Sequence, residues 1–213
     1  RRFSVKRLVI LGSACAYPKL AEVPTREEYA WRGYPEETNA AYGVAKRALK
    51  TLCDSYREQY GLDSVYLVPT NFYGPGDNFD PENSHVIPAL IRKFSGAEDS
   101  VTLWGDGTPT RDFIHVSDCA DAVVKAAQGY YGGLAINIGS GAEVSISEVA
   151  GMVARATGFT GKVFWDASRP NGQPRRCLDI SRAERLLEWA PKVSLVDGIR
   201  ETVAWFKSQA VPA

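Results

Sequence analysis

A tyrosine and a lysine stand four residues apart in the pattern Tyr42-x-x-x-Lys46. On a helix that spacing puts both side chains on one face, one turn apart. An ammonium beside a phenol favours the phenolate, and such a tyrosine can deliver or take the proton of a carbonyl/alcohol pair. Alone, the spacing also arises by chance on surface helices. Two flanking segments make it chemical. Residues 6–11 form an apolar run that ends in Gly12-Ser13-Ala14-Cys15-Ala16-Tyr17-Pro18. Residues 64–69 form another, followed by Thr70-Asn71-Phe72-Tyr73-Gly74-Pro75-Gly76. Both runs read as buried strands, and ligands of open α/β sheets bind beyond the carboxyl ends of such strands.

The elements that must position these residues follow from periodicity. Residues 40–60 predict one long helix, with Leu49, Leu52, Tyr56 and Tyr60 at three- and four-residue steps and Gly61 as its stop. Strand, helix and strand in that order imply a right-handed parallel crossover. Residues 18–38, rich in Pro, Glu and Arg, and residues 71–83 read as loops. Helices are expected at 85–94, 117–128, 181–189 and 194–207. Ser145-Ile-Ser-Glu148 is a capping box opening another helix to about 157. Short strands are expected at 101–104, 113–116, 134–138 and 163–165. Gly105-Asp106-Gly107 reads as a turn rather than a phosphate loop. The fold class is α/β. Residues 1–75 read as part of a nucleotide-binding half. Residues 76–213 read as a smaller mixed lobe, with residues 112–135 returning to the sheet.

Composition narrows the function classes. Of 213 residues, 45% are hydrophobic and 23% charged, which excludes a disordered or fibrous chain. Twenty-five basic residues balance twenty-five acidic ones, which argues against a nucleic-acid-wrapping protein. No apolar run reaches the roughly 20 residues of a membrane span. Cys15, Cys53, Cys119 and Cys177 are widely spaced, no Cys-x-x-Cys pair occurs, and there are two histidines. No metal site is expected, and the thiols read as reduced in a cytosolic protein. His115, inside Phe-Ile-His-Val, reads as structural.

Strand-end serine, then Tyr-x-x-x-Lys, then a strand-end Asn-x-Tyr-Gly-Pro is the order of the extended short-chain dehydrogenase/reductases. Within them, residues 11–19 (LGSACAYPK), 69–90 (PTNFYGPGDNFDPENSHVIPAL) and 104–116 (WGDGTPTRDFIHV) resemble the GDP-L-fucose synthases. Those are NADPH-dependent 3,5-epimerase/4-reductases acting on GDP-4-keto-6-deoxymannose. The resemblance runs through essentially the whole chain. It implies that Ser13 bonds the sugar carbonyl, Tyr42 is the general acid, and Lys46 holds the nicotinamide ribose. Cys15 and His85 become the acid/base pair that epimerises the sugar. A carbonyl at position 4 acidifies the protons at positions 3 and 5, and thiol and imidazole both work near neutrality. The resemblance further implies that Leu11, Gly12, Ser13, Ala14, Tyr42, Lys46, Pro69, Thr70, Asn71, Phe72 and His85 meet NADP(H). Asn71, Lys93, Trp104, Arg111 and Asp179 would meet the GDP-sugar. Lys93 departs from the pattern, since these enzymes often carry Arg, whose fork Lys cannot copy. A homodimer is implied as well.

One family feature is missing from the 213 residues: the Gly-x-x-Gly-x-x-Gly turn that receives the cofactor pyrophosphate. The resemblance implies an incomplete Rossmann-type sheet lacking its first strands, with on the order of 90–100 residues of the enzyme preceding Arg1. The 213 residues alone are then expected to hold NADP(H) weakly and to have doubtful activity. Two other readings stand beside this one: a sibling nucleotide-sugar epimerase or reductase, and a nucleotide-sugar-binding remnant without cofactor.

Overall fold

The computed structural model describes residues 3 and 5–209. In chain order the elements are β1 (Arg7–Leu11), α1 (Ala40–Tyr60), β2 (Asp63–Pro69), β3 (Asn71–Tyr73), α2 (Val86–Ser95) and β4 (Ser100–Trp104). There follow β5 (Thr110–Arg111), β6 (Phe113–His115), α3 (Val116–Gly129), β7 (Ala135–Ile138), β8 (Val144–Ser145) and α4 (Ile146–Thr157). The chain closes with β9 (Lys162–Asp166), β10 (Arg175–Arg176), α5 (Ser181–Leu187) and α6 (Leu195–Gln209).

β1, β2 and β7 form a parallel sheet in the order β1-β2-β7, with Leu11 level with Leu67 and Val68 level with Asn137. Parallel strands need a long connection, and α1 supplies the first. Gly61 ends α1 in the left-handed conformation (φ 64°), accepting the role its missing Cβ makes cheap. Beneath the sheet, Val65, Leu67, Ile136 and Ile138 pack with Cys119, Ala122 and Ala126 of α3 and with Trp189. A second core unites Ile87, Leu90, Ile91 and Phe94 of α2 with Val149 and Val153 of α4, Ile199 and Val203 of α6, and Val101 and Leu103 of β4. The capping box at Ser145 and Glu148 is formed as the sequence implies.

Several details differ from the periodicity. Residues 113–115 do not join the main sheet. They pair in parallel with Asn71–Tyr73, inside what reads as a loop. Residues 135–138 are the ones that complete the sheet. α5 stops at Leu187 because Glu188 turns into the left-handed region (φ 47°), which leaves Trp189 buried outside the helix. His115 bonds Ser117 through Nδ1 at 2.7 Å, but its buried Nε2 has no hydrogen-bond partner. The Glu201 carboxylate lies 3.9 Å from Nε2.

Asn137, fully buried on β7, ties distant segments together. Its amide N–H donates to Glu27 Oε1 at 2.9 Å, and its Oδ1 accepts from the Tyr17 hydroxyl at 2.5 Å. Its Nδ2 donates to the carbonyls of Thr25 (2.9 Å) and Asp179 (3.0 Å). The loop after β1 is thereby pinned to the sheet and to the segment before α5.

Candidate active site

The carboxyl end of β1 meets the start of α1 at a tight corner. Ser13 caps a short 3₁₀ turn, Ala14–Ala16, by accepting the Cys15 N–H at 3.2 Å. Gly43 lies inside Tyr42-x-x-x-Lys46 and faces that turn; a Cβ there would fall 2.5 Å from the Cys15 carbonyl oxygen. Glycine therefore lets the helix backbone approach the serine–cysteine turn. Lys46 Nζ donates to the Leu11 carbonyl at 2.8 Å and lies 5.4 Å from the centre of the Tyr42 ring. The Lys46 carbonyl in turn accepts from the Tyr66 hydroxyl at 2.6 Å, and Tyr66 lies under Gly12, where a Cβ would strike its ring. Leu11, Gly12, Ser13, Cys15, Tyr42 and Lys46 are thus gathered in one place, with the Tyr42 side chain 50% exposed. Ala14 is buried behind them.

The carboxyl end of β2 lies at the same edge. Pro69 pairs with Ile138. Thr70 Oγ1 and Asn71 Nδ2 both donate to the Asp112 carbonyl, at 3.1 and 3.0 Å. Phe72 is left 49% exposed. Asp112 is buried completely, and burial pushes its carboxyl up. The Ser140 hydroxyl (2.6 Å) and the amides of Ser140 (2.8 Å) and Leu178 (3.2 Å) oppose that shift. His85 is exposed at the N-terminal cap of α2 and makes no capping bond with its side chain. Across the loop stands Asp77, whose Oδ2 is buried without a hydrogen-bond partner. Burial raises the Asp77 carboxyl, and the Asn78 amide and then the His85 charge draw it down.

A line of cations leads away from the corner. Lys93 Nζ donates to the Thr102 carbonyl at 3.1 Å and lies 5.7 Å from the Trp104 ring centre. Burial pushes Lys93 down, with Arg92 adding to it. Arg169 lies 5.3 Å from the same ring, and Trp104 is 67% exposed. Arg111 is drawn down to about 10 by burial and by the charge of Arg176, its partner across β5 and β10. Arg176 Nη1 donates to Cys15 Sγ at 3.5 Å. Among the described residues, Lys93, Arg111 and Arg176 make no ion pair within 4.0 Å. Desolvated guanidinium groups without carboxylates suit a phosphate-bearing ligand.

Asp179 has other company. Its carboxylate accepts from the Ser181 amide (2.9 Å) and hydroxyl (2.6 Å), and Arg26 Nε reaches it at 3.2 Å. Partial burial pushes it up, but those partners outweigh burial and hold it below the usual range. Arg169, Gln173 and Arg176 escape a sequence reading. Their one local signal is the turn-forming Pro170-Asn171-Gly172-Gln173-Pro174, which carries the segment from Trp104 past Arg111 to Cys15.

The residues present fit the nicotinamide end of a dinucleotide. Leu11 and Tyr42 flank Lys46, and they and Phe72 leave exposed apolar surface beside the carboxyl ends of two parallel strands. They do not supply a pyrophosphate cradle, since the sequence holds no glycine-rich turn.

Residues 1–139 match the NAD dependent epimerase/dehydratase family. The chain belongs to that family. It is 47% identical over 214 residues to the probable GDP-L-fucose synthase 1 of Oryza sativa subsp. japonica, covering 99% of this chain and 65% of the rice protein. It is 43% identical over 220 residues to the GDP-L-fucose synthase of Escherichia coli (strain K12), covering 95% of this chain and 67% of that protein. A crystal structure of a GDP-L-fucose synthetase from Naegleria fowleri bound to NADP superposes with a TM-score of 0.91 at 31% identity, over 97% of this chain and 68% of the other. The chain therefore spans about 65% of the length of the rice relative. Among the described residues, no helix is long and apolar enough to cross a membrane.

Proposed function

We propose that this chain is the catalytic and substrate-binding portion of an NADPH-dependent enzyme that converts GDP-4-keto-6-deoxy-D-mannose to GDP-L-fucose. The observation that carries the proposal is the corner where Gly43 seats Tyr42 and Lys46 against the Ser13–Cys15 turn. It packs the helix that carries a reductase's acid against the turn that carries a thiol which a simple reductase does not need. The names of the relatives support the substrate.

NADPH, when bound, supplies the hydride delivered to sugar carbon 4. The chain's own groups do the rest. Tyr42 gives a proton to the keto oxygen. Lys46 spends one of its three N–H donors on the Leu11 carbonyl and keeps the others for the ribose and the phenol. The Ser13 oxygen accepts from the Cys15 amide, so its hydroxyl proton stays free for the sugar carbonyl. Cys15 and His85 exchange protons at carbons 3 and 5 from opposite faces. Leu11, Gly12, Ala14, Pro69, Thr70, Asn71 and Phe72 line the nicotinamide side. Lys93, Trp104 and Arg111 hold the nucleoside diphosphate, and Asp179 and Asn71 take sugar or ribose hydroxyls.

Val44, Leu52 and Tyr56 leave an apolar outer face on α1, which we assign to a homodimer contact. Four free cysteines fit a cytoplasmic enzyme. The test is product identity by NMR for the full-length enzyme with NADPH and GDP-4-keto-6-deoxy-D-mannose in deuterium oxide. GDP-L-fucose labelled at carbons 3 and 5 is expected. Because Lys93 stands where these enzymes often carry Arg, a panel of other nucleotide-linked 4-keto sugars belongs in the same assay. Turnover of one of those alone would assign the chain to a sibling reductase.

A further inference from the structure

Cys15 is the half-exposed thiol of the chain; Cys53, Cys119 and Cys177 are buried. Its sulfur has a charged neighbour brought from the far end of the sequence. Arg176 Nη1 donates to Sγ at 3.5 Å. The rest of that guanidinium is fixed: Nε and Nη2 both donate to Gln173 Oε1, at 3.2 and 2.6 Å. Gln173 is fixed in turn, since its Nε2 donates to the Lys19 carbonyl at 2.9 Å. Lys19 lies farther along the same loop as Cys15. The planar fork is therefore held at both ends and aimed at the sulfur.

The carboxylates near this contact are engaged elsewhere; Asp112, next to Arg111, accepts from Ser140 and Leu178. β5 contributes Arg111, level with Arg176 across the parallel pair. β10 contributes Arg175, whose charge is taken by Glu143. α1 contributes Lys46 and the Tyr42 phenol, and the loop contributes Lys19, paired with Glu37. No carboxylate among the described residues pairs with Arg176. Two partly buried guanidinium groups side by side, without a counter-ion, are costly unless an anion answers them. A diphosphate can answer Arg111. Besides the neutral Gln173 amide, Arg176 meets the Cys15 sulfur.

We propose that Arg176 is a positioning residue for Cys15. Its guanidinium orients the sulfur and supplies the positive charge opposite it whenever the sulfur is without its proton. The proposal rests on the reading of Cys15 as a proton-transfer group. In that exchange a C–H bond next to the keto group breaks as an S–H bond forms, and the electron pair passes to the keto oxygen. The reverse step returns the proton to carbon. On one side of the exchange the sulfur bears a full negative charge, 3.5 Å from Arg176 Nη1.

The experiment compares the full-length parent with Arg176→Gln, Arg176→Lys and Gln173→Leu. The first readout is the rate at which iodoacetamide alkylates Cys15 at neutral pH without substrate, followed by peptide mass spectrometry. The thiolate is the reacting species, and a lost cationic neighbour should slow it about tenfold in Arg176→Gln. Arg176→Lys should recover part of the rate because it keeps the charge. Gln173→Leu, which frees the fork but leaves it charged, should slow the reaction about threefold. The second readout is solvent deuterium incorporation at carbons 3 and 5, which should fall more than hydride transfer in Arg176→Gln. Alkylation of Cys15 within twofold of the parent in folded Arg176→Gln would overturn the proposal. So would Arg176→Lys reacting no faster than Arg176→Gln. If Arg176→Gln does not fold, Arg176→Lys and Gln173→Leu against the parent decide the matter, and parental alkylation in both overturns it. A parent enzyme that incorporates no deuterium would overturn the proposed function instead, and alkylation would still decide what Arg176 does to the sulfur.

Discussion

The corner around Ser13 and the line of cations leading from it are built on opposite terms. At the corner, backbone and side chain answer each other: Lys46 to Leu11, Tyr66 to Lys46, Ser13 to Cys15, with Gly43 closing the gap. Along the line, Lys93 and Arg111 are desolvated and lean on single carbonyls, Thr102 and Thr110. The first region is bonded within itself; the second keeps cations that no carboxylate answers. In the proposed function, chemistry that depends on fixed distances belongs to the first, and affinity for a charged handle belongs to the second.

The largest effect expected from breaking this contrast is at Tyr42. Tyr42→Phe keeps the packing and removes the proton donor, so turnover in the full-length enzyme should fall about 100- to 10,000-fold. Substrate binding by calorimetry should be spared. Activity within threefold of the parent would mean that another group protonates the sugar.

Gly43→Ala comes next. The added methyl meets the Cys15 carbonyl and must push α1 off the turn. Displacing the phenol and ammonium by a fraction of an ångström should reduce kcat about tenfold or more while GDP affinity holds. An unchanged kcat would show that the corner is softer than its bonding suggests.

The other region is tested by Arg111→Gln. GDP affinity should weaken about tenfold by calorimetry, with little change in kcat at saturating substrate. An equal loss in kcat would erase the division of labour drawn above.

The smallest effect is expected at Ser145→Ala, which removes the cap of α4 far from the corner. Thermal unfolding should move down by about 2–4 °C, with activity retained below that temperature. A fall in kcat without a change in melting would mean that β8 and α4 reach the chemistry through Arg111.

What the sequence revealed followed the length of the signal. α1 shows its period over 21 residues, and its Tyr-x-x-x-Lys face is legible because both partners lie on that one helix. β1 and β2 are legible as apolar runs beside it. The pairing of Asn71–Tyr73 with Phe113–His115 is not, since three residues are too few to show alternation. The two-residue strands β5, β8 and β10 leave no pattern at all. Residues 181–189 read as one helix, and the left-handed turn at Glu188 that excludes Trp189 has no signature in a glutamate. Within the site, Ser13, Tyr42 and Lys46 are readable, but Arg176 is not. It reaches Cys15 across 161 positions of sequence, and no local pattern encodes so distant a contact.

The buried Asn137 has a bearing on how the chain comes to order itself. Its side chain gathers Tyr17, Thr25 and the Asp179 carbonyl at one point. A ribosome releases residues 17–25 first and residue 179 last of these. Until residue 179 emerges, the loop beside Cys15 lacks one of its anchors, and Asn137 has an amide proton with no partner. The Ser13 corner is encoded near the start of these residues yet is the kind of structure that sets late in synthesis. Contacts of such high sequence separation slow folding. A nascent chain halted before residue 179 would therefore display an unsettled Cys15 loop, open to thiol reagents and proteases.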